Sequence, residues 1–569
     1  MSTAPDPRHG RGARRTAALS LAALAATSSP AAAGEPVDLD VVNLIRDEGL
    51  NRSQVVDTME YLTDVLGARL SGSPEMKAAN EWTAAKLEEW GLENVELDPF
   101  EFGRGWSFSH AAVHMLAPHQ VPLLALPKAW TPGTAGAVRG RAVRIEIEHQ
   151  DDFDRYRGEL RGKVVFLDER FDVKPPTDPF RRHSDKDLAE LGHFPIPDHA
   201  PTVQRLIRAR QWRLRRDMYR FLGDEGVLAA VNVSSRDAGL VRVMGYTYRP
   251  GQAPSFPVLV MAVEHYNQIL RLLGRGIEVE LELDLRARFH DDDGGRAYNT
   301  VGEIPGHGRK PEIVMAGAHL DSWHGSTGGV DNAAGCAVMM EAVRILKAID
   351  ADVERTVRVA LWSGEEQGLH GSREYVYEHF ASRPEHPDPE QREMPRFLRE
   401  PRWTWPITTL PDYDRFSVYF NLDNGSGKVR GVYAEENAAA RPIFDAWLRP
   451  FADLGAGTET LRPTGGTDHR SFQAVGLPGF QFIQDPLDYR FRLHHTNIDG
   501  FDHIQAEDLK QASVIVASFL YHAATREERF PRKPMPQEPD ARARDKRARD
   551  LDEARRKHQR EQRKQRLPD

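Results

Sequence analysis

The feature that most limits how this chain can fold is an alternation of strand and helix patterns that begins at Tyr298. Three strongly apolar segments read as strands, at residues 313–318, 357–362 and 416–422. Helical patterns lie between them, at residues 333–349 and 371–380. This order is typical of parallel strands joined by helical crossovers. We therefore predict an α/β fold with a mostly parallel mixed sheet flanked by helices.

The region before Tyr298 divides into a helical part and a strand-rich part. Residues 53–66 carry apolar side chains at helical spacing, and Ser73-Pro74 opens a second helix that Gly91 closes. Near Phe102 the pattern changes to short strands, including a strict alternation of apolar residues from Ile277 to Leu285. The 569 residues exceed one compact domain, so a β-rich insert within the main domain is predicted.

The two ends of the chain differ in composition from its body. Four arginines precede an apolar stretch at residues 16–27 and a run of alanines ending at Ala33, which predicts a signal peptide at 1–33 and an exported protein, periplasmic or secreted. Residues 525–569 are mostly charged and predict a disordered tail. Seven prolines at 381–415 predict a lid or surface loop.

Charge and hydropathy limit the classes of partner. The net charge of -9, with both signs interspersed, argues against nucleic acid, because binding phosphates needs a basic surface. No apolar run reaches the roughly 18 residues of a membrane-spanning helix, so no span is predicted. The single cysteine, Cys336, excludes an intrachain disulfide.

Six short motifs rich in His, Asp and Glu carry the chemistry. They are Gly317–Trp323, Gly328–Gly335, Leu361–Gly368, Phe420–Gly425, Gly465–Phe472 and His494–Asp499. Three of them start where a predicted strand ends, and ligands bind at that edge of an open α/β sheet. His319, Glu365, Glu366 and Asp423 are therefore expected to converge although they are distant in sequence.

Imidazole and carboxylate groups in this pattern predict a zinc site. Two metal ions roughly 3.5–4 Å apart require a bridging carboxylate, and Asp331 in its glycine-rich loop suits that role. Asp321 is placed to accept the free ring N–H of His319. Glu365 and Glu366 are adjacent and point apart, so one can bind metal while the other takes a proton from water. The residues alone leave open which glutamate does which.

The motifs HLDSW, WSGEEQG, GTD with a following aromatic, and HHT with a later Asp resemble peptidase family M28 in their order, across about Val41 to His522. The resemblance implies two zinc ions per chain, short peptides or dipeptides as substrates, and a homodimer. It assigns Glu365 as general base, selects His495 over His494 as a metal ligand, and gives His494 an oxyanion-binding role. The implied ligands are His319, Asp331, Glu366, Asp423 and His495.

The resemblance also implies the domain limits: an N-terminal part of the peptidase domain at 34–111, an inserted protease-associated domain at 112–286, and the rest of the peptidase domain at 287–524. Two departures are visible: the proline-rich stretch 381–415 widens the gap between two ligands, and Asn332 stands where the most similar members carry a second Asp.

The implied activity is that of a carboxypeptidase or dipeptidase, in which hydroxide held between two zinc ions attacks the peptide bond. An aminopeptidase uses the same ligands, and a noncatalytic binding protein of the same fold is a second alternative. A glutaminyl cyclase, which uses one zinc ion, is disfavoured by the full ligand set. Asp468 and His469 either line the substrate pocket or brace a loop.

Overall fold

The computed structural model describes residues 34–173, 181–194, 203–309, 311–395, 398–399 and 404–538. The predicted signal peptide at 1–33 and residues 539–569 of the predicted tail lie outside the described residues. No described helix combines the length and apolar composition that crossing a bilayer requires.

The described α-helices, numbered in chain order, are α1 Leu39–Asn51, α2 Val55–Glu60, α3 Pro74–Glu89, α4 Asp185–Gly192, α5 Val203–Glu225, α6 Val263–Gly274, α7 Ala334–Ala348, α8 His370–His379, α9 Pro389–Glu393, α10 Arg441–Leu448, α11 His469–Gln473 and α12 Ala506–Thr525. The strands are β1 Glu93–Glu101, β2 Gly105–Ala117, β3 Val121–Pro122, β4 Ala125–Pro127, β5 Val138–Arg144, β6 Val164–Phe166, β7 Ala229–Val233, β8 Val258–Met261, β9 Glu280–His290, β10 Arg296–Ile304, β11 Ile313–His319, β12 Thr356–Trp362, β13 Ala381–Ser382, β14 Thr408–Thr409, β15 Phe416–Asn421, β16 Val429–Tyr433, β17 Thr458–Thr460 and β18 Gly479–Gln484.

The main sheet has eight strands in the order β1-β10-β12-β11-β15-β18-β16-β17. Its four central strands, from β12 to β18, pair in parallel. On one side β10 and β1 continue the sheet antiparallel, and on the other β16 is antiparallel to β18. The predicted α/β fold with a mostly parallel mixed sheet is confirmed.

Both faces of the main sheet are buried under helices. Val314, Ala316 and Ala318 of β11 pack in the same cluster as the apolar side chains of α7 and α12. Ile313 and Met315 point to the opposite face, where they join side chains of α8 and α11. Successive side chains of a strand alternate between faces, so a strand covered on both sides is apolar throughout.

Helix α3 begins and ends where the sequence predicts. The hydroxyl of Ser73 accepts a hydrogen bond from the backbone N–H of Met76 at 3.1 Å, and Pro74 occupies the first turn. Gly91 follows with a φ of +82°, a conformation that glycine adopts without strain. The helix predicted at 53–66 is split into α2 and a π-helical turn, Tyr61–Val65, and α1 was not predicted.

A second eight-stranded sheet occupies the region of the predicted insert, in the order β3-β2-β9-β5-β6-β7-β8-β4. Its strands run from Gly105 to His290, slightly beyond the predicted limits of 112 and 286. Four of them, β5 to β8, pair in parallel, and α5 lies in the connection between β6 and β7. This 23-residue helix was missed because its many arginines obscure a buried face formed by Tyr219 and Leu222.

The described part of the proline-rich stretch packs on α5 of the second sheet. Met394 and Leu398 bury apolar surface against Ala209 and Trp212. The carboxylate of Glu390 lies 3.1 Å from Nε of Arg213. This stretch of the main domain therefore packs against the second sheet's region. Residues 396–397 and 400–403 lie outside the described residues.

Candidate metal centre

The candidate site lies where three parallel strands end side by side. His319 is the last residue of β11 and pairs with Trp362, the last residue of β12. On the other side of β11, Gly317 pairs with Asn421, the last residue of β15. The loops that follow β12 and β15 carry Glu365, Glu366 and Asp423, so the register brings the predicted residues to one edge.

The five predicted metal ligands converge around the carboxylate of Asp331. Nε2 of His319 lies 3.5 Å from Oδ1 of Asp331 and 3.5 Å from Oδ1 of Asp423. Nε2 of His495 lies 3.5 Å from Oδ2 of Asp331 and 2.9 Å from Oε2 of Glu366. The two histidines thus approach opposite oxygens of one carboxylate, which is the arrangement that a bridging ligand between two ions needs.

Hydrogen bonding fixes which nitrogen of His319 faces this centre. Nδ1 lies 2.9 Å from the backbone carbonyl oxygen of Asp321, and because a carbonyl only accepts, Nδ1 carries the hydrogen. In the neutral ring, which is the form that binds metal, Nε2 then carries a lone pair directed at the carboxylates of Asp331 and Asp423. Two anionic groups facing a lone pair repel it unless a cation lies between them.

Two buried carboxylate oxygens at this centre, Oδ2 of Asp331 and Oε1 of Glu366, have no hydrogen-bond partner among the described residues. Burying an unpaired carboxylate costs several kcal/mol, and a divalent cation removes that cost. The donor set of two imidazoles and three carboxylates matches the preference of zinc. The residues therefore fit a metal centre.

Asp321 holds the two glutamates in place. Its carboxylate accepts hydrogen bonds from the backbone N–H of Glu365 at 3.2 Å, from that of Glu366 at 3.3 Å and from the hydroxyl of Ser71 at 2.9 Å. Its Oδ1 lies 3.6 Å from Nδ1 of His319, farther than the carbonyl oxygen of the same residue. The ring N–H that Asp321 was expected to accept therefore bonds to its backbone, and its side chain orients the glutamate pair.

Asp499 orients Asp331 in the same way. Its carboxylate accepts hydrogen bonds from the backbone N–H groups of Val330, at 2.7 Å, and Asp331, at 3.1 Å. Burial raises the pKa of Asp499 to about 7. Sequence reasoning assigned it no role, although it closes the motif that begins at His494. Ser71 was also missed, because no local pattern marks a residue whose contacts lie 250 positions away.

Glu365 and Glu366 occupy different positions although they are neighbours. Glu366 contacts His495, whereas Glu365 forms no ion pair within 4.0 Å among the described side chains. Glu365 is buried, which raises its pKa well above the usual range, and the charges of Asp423 and Asp468 act in the same direction. A buried carboxylate that favours its protonated form is suited to accept a proton.

The ring of His494 packs against that of His495, with centroids 3.8 Å apart and the planes tilted by 47°. Its Nε2 lies 4.0 Å from Oδ2 of Asp331, so Asp331, His494 and His495 also form a group close enough to hold an ion. Burial lowers the pKa of His494 to about 4. The ring of His494 therefore lies beside His495 and Oδ2 of Asp331.

Asp468 and His469 lie at the start of α11 and are fully buried. Both oxygens of the Asp468 carboxylate lack a hydrogen bond among the described residues, and burial raises its pKa to about 7. Nε2 of His469 lies 3.4 Å from Oε1 of Glu435. Their complete burial favours loop bracing over direct contact with a substrate.

Comparison with known proteins shows which sequences this chain is similar to. Residues 299–520 match the model of Peptidase family M28. Carboxypeptidase Q of Homo sapiens is 24% identical over 495 residues, covering 86% of this chain and 89% of the relative. Aminopeptidase YwaD of Bacillus subtilis (strain 168) is 28% identical over 240 residues, covering 41% of this chain and 46% of the relative.

Solved structures show the same fold. A Peptidase M28 precursor from Shewanella amazonensis SB2B superposes with a TM-score of 0.62 at 24% identity, covering 88% of this chain and 98% of that one. BSAP, a zinc aminopeptidase from Bacillus subtilis, superposes with a TM-score of 0.52 at 19% identity, covering 83% and 95%.

The fold, the cluster of histidines and carboxylates, and the family match define a hydrolase of the metallopeptidase class. Residues 299–520 match Peptidase family M28, and the chain is similar to carboxypeptidase Q over 86% of its length. Peptides are therefore its class of substrate, and its activity depends on metal.

Proposed function

We propose that the chain is a zinc-dependent exopeptidase of the carboxypeptidase or dipeptidase type that hydrolyses short peptides. The observation that carries the proposal is the approach of His319 and His495 to opposite oxygens of Asp331. That arrangement supports a site for two zinc ions per chain. His319 and Asp423 would hold one, His495 and Glu366 would hold the other, and Asp331 would span both.

Bound zinc would polarise the peptide carbonyl and lower the pKa of water. The protein's own contribution begins with Glu365, whose buried carboxylate accepts a proton from water and delivers it to the departing amine. Asp321 holds the backbone of Glu365 in position through the 3.2 Å hydrogen bond. His494 is placed to donate a hydrogen bond to negative charge developing on the carbonyl oxygen.

The polarity of cleavage is supported by the extent of the sequence matches. Carboxypeptidase Q is similar over most of both chains, including the region of the second sheet. Aminopeptidase YwaD is similar over less than half of each. We also propose, from the resemblance to peptidase family M28, that the second sheet, Gly105 to His290, is a protease-associated domain.

A panel of end-blocked peptides tests the proposal. Four substrates share one sequence: a dipeptide with both ends free, its N-acetyl form, its C-terminal amide, and the doubly blocked form. The proposal predicts zinc-dependent cleavage that survives N-acetylation and falls to a slow residual rate on C-terminal amidation. Cleavage lost on N-acetylation but retained in the amide would establish an aminopeptidase instead.

We also propose that the protein is exported, because its N-terminal sequence has the features of a signal peptide. Arginines followed by an apolar stretch and Ala31-Ala32-Ala33 support removal of residues 1–33. Mass spectrometry of the protein recovered outside the cytoplasm tests this directly. A mature chain that begins at Gly34 agrees with the proposal, and an intact N-terminus opposes it.

A further inference from the structure

A segment of the second sheet's region is bonded directly to the metal-binding loop. The backbone N–H of Val243 donates to the carbonyl oxygen of His495 at 3.0 Å. The backbone N–H of Asn497 donates to the carbonyl oxygen of Val241 at 3.2 Å, and that of Val241 donates to Oδ1 of Asn497 at 2.7 Å. These bonds hold the intervening residue, Arg242, against the candidate metal centre.

The guanidinium of Arg242 has no carboxylate partner within 4.0 Å among the described residues. Its Nη2 lies 3.1 Å from Nδ1 of His495 and 3.4 Å from Nδ1 of His494. Its buried Nε has no hydrogen-bond partner in the described part of the chain. A half-buried guanidinium without a counter-ion is costly, so this group is suited to an anion from outside the chain.

The contact with His495 is itself incompatible with metal binding through Nε2. A neutral imidazole that ligates through Nε2 carries its hydrogen on Nδ1, where it can only donate. Arg242 also only donates, so two donors would face each other across 3.1 Å. The metal-bound form therefore leaves Arg242 free to turn towards an acceptor.

We propose that Arg242 binds the free α-carboxylate of the peptide substrate. The inference rests on the proposed exopeptidase function and names its substrate class, peptides whose free C-terminus is adjacent to the scissile bond. The candidate centre is otherwise lined by carboxylates, including Glu366 and Asp331, which repel a substrate carboxylate. A guanidinium offsets that repulsion, binds a carboxylate through two parallel hydrogen bonds, and repels a substrate ammonium group.

The test compares an N-acetyl dipeptide with its C-terminal amide in the zinc-loaded wild type and in Arg242→Met and Arg242→Lys. Removing one partner of a desolvated charge pair is expected to lower kcat/KM for the free acid about 10²-fold in Arg242→Met, mainly through KM. Arg242→Lys restores part of this loss. The slow hydrolysis of the amide is unchanged in both variants.

Arg236→Met is the matched control, because Arg236 lies in the same connection and donates to the carbonyl oxygen of Arg490 at 2.8 Å. Its kinetics should equal those of the wild type. Zinc content and thermal stability of each variant show whether the site is intact. Loss of zinc in Arg242→Met, or equal losses on the acid and the amide, would overturn the inference and give Arg242 a role in positioning His495.

Binding without turnover gives an independent readout. In a Glu365→Gln background, calorimetric titration with the N-acetyl dipeptide should show affinity that falls about 10²-fold when Arg242→Met is added. Unchanged affinity would refute the role of Arg242 while leaving the exopeptidase function standing. If the wild type cleaves none of these peptides, the proposed function itself fails.

Discussion

The two sheets of this molecule have similar arrangements of parallel strands. They differ in the hydrogen bonding of the carboxylates that follow those strands. Each contains four neighbouring strands that pair in parallel. In the second sheet, Asp168 follows β6 and its carboxylate accepts hydrogen bonds from the backbone N–H of Val233 and from Nδ2 of Asn232, each at 2.9 Å. In the main sheet, the carboxylates of Asp331 and Glu366 keep oxygens without a partner.

The difference shows that the chemistry belongs to the strand-end residues and not to the fold. A parallel sheet edge gathers side chains in both regions. In the main sheet two histidines approach those side chains, and the carboxylates of Asp331 and Glu366 that they approach keep buried oxygens without a hydrogen bond among the described residues. Such a cluster is unfavourable without a cation, which is why we assign it to metal.

The largest effect is expected from Glu365→Gln in the main sheet. The amide cannot accept the proton, so kcat should fall about 10²–10⁴-fold, while zinc content stays that of the wild type because Glu365 makes none of the close contacts with the histidines. Steady-state kinetics with metal analysis measure both quantities. Full activity of this variant would remove Glu365 as the base.

His494→Ala distinguishes two possible roles of His494 at the metal centre, hydrogen-bond donor to the oxyanion and metal ligand. Loss of a donor to the developing oxyanion should lower kcat about 10²–10³-fold with zinc retained. If zinc is lost along with activity, His494 is a ligand, as its place in a group with Asp331 and His495 allows. Wild-type turnover would mean that it has neither role.

Asp499→Asn and Asp168→Asn compare the two sheets directly. Asp499 lies at the candidate metal centre and Asp168 follows β6 of the second sheet, and each carboxylate accepts two hydrogen bonds. Both variants should lose about 1–3 kcal/mol in free energy of unfolding. Asp499 accepts with both of its oxygens, which an amide cannot do, and Asp168 accepts both bonds at Oδ2, where a neutral amide oxygen is the weaker acceptor. Only Asp499→Asn should weaken zinc binding, about 10–100-fold, because Asp499 orients Asp331. Equal zinc affinities in the two variants would contradict the claim that Asp499, unlike Asp168, supports metal binding.

The smallest effect is expected between the sheets, at Glu390 of the proline-rich stretch. Its ion pair with Arg213 is partly exposed and is worth less than about 1 kcal/mol. Glu390→Gln should therefore shift thermal unfolding slightly and leave kcat/KM unchanged. A large loss of activity would mean that this stretch controls the cleft.

The sequence predicts the elements whose pattern is local and strong. β11, β12, β15 and α7 appear within one or two residues of their predicted limits because the strands are mostly apolar, α7 carries apolar residues at helical spacing, and clear breaks separate them. Helix α5 was missed because its arginines dilute the apolar face. Asp499, Ser71 and Arg242 act through contacts with distant segments, which a single sequence does not reveal.

The most direct test of the central claim is the zinc content of the dialysed protein, measured by mass spectrometry for the wild type, Asp423→Ala and Asp331→Ala. A centre shared through Asp331 predicts two ions per wild-type chain, one in Asp423→Ala and none in Asp331→Ala. Two ions retained in Asp331→Ala, or a single ion in the wild type, would contradict a bridged pair at this edge of the sheet.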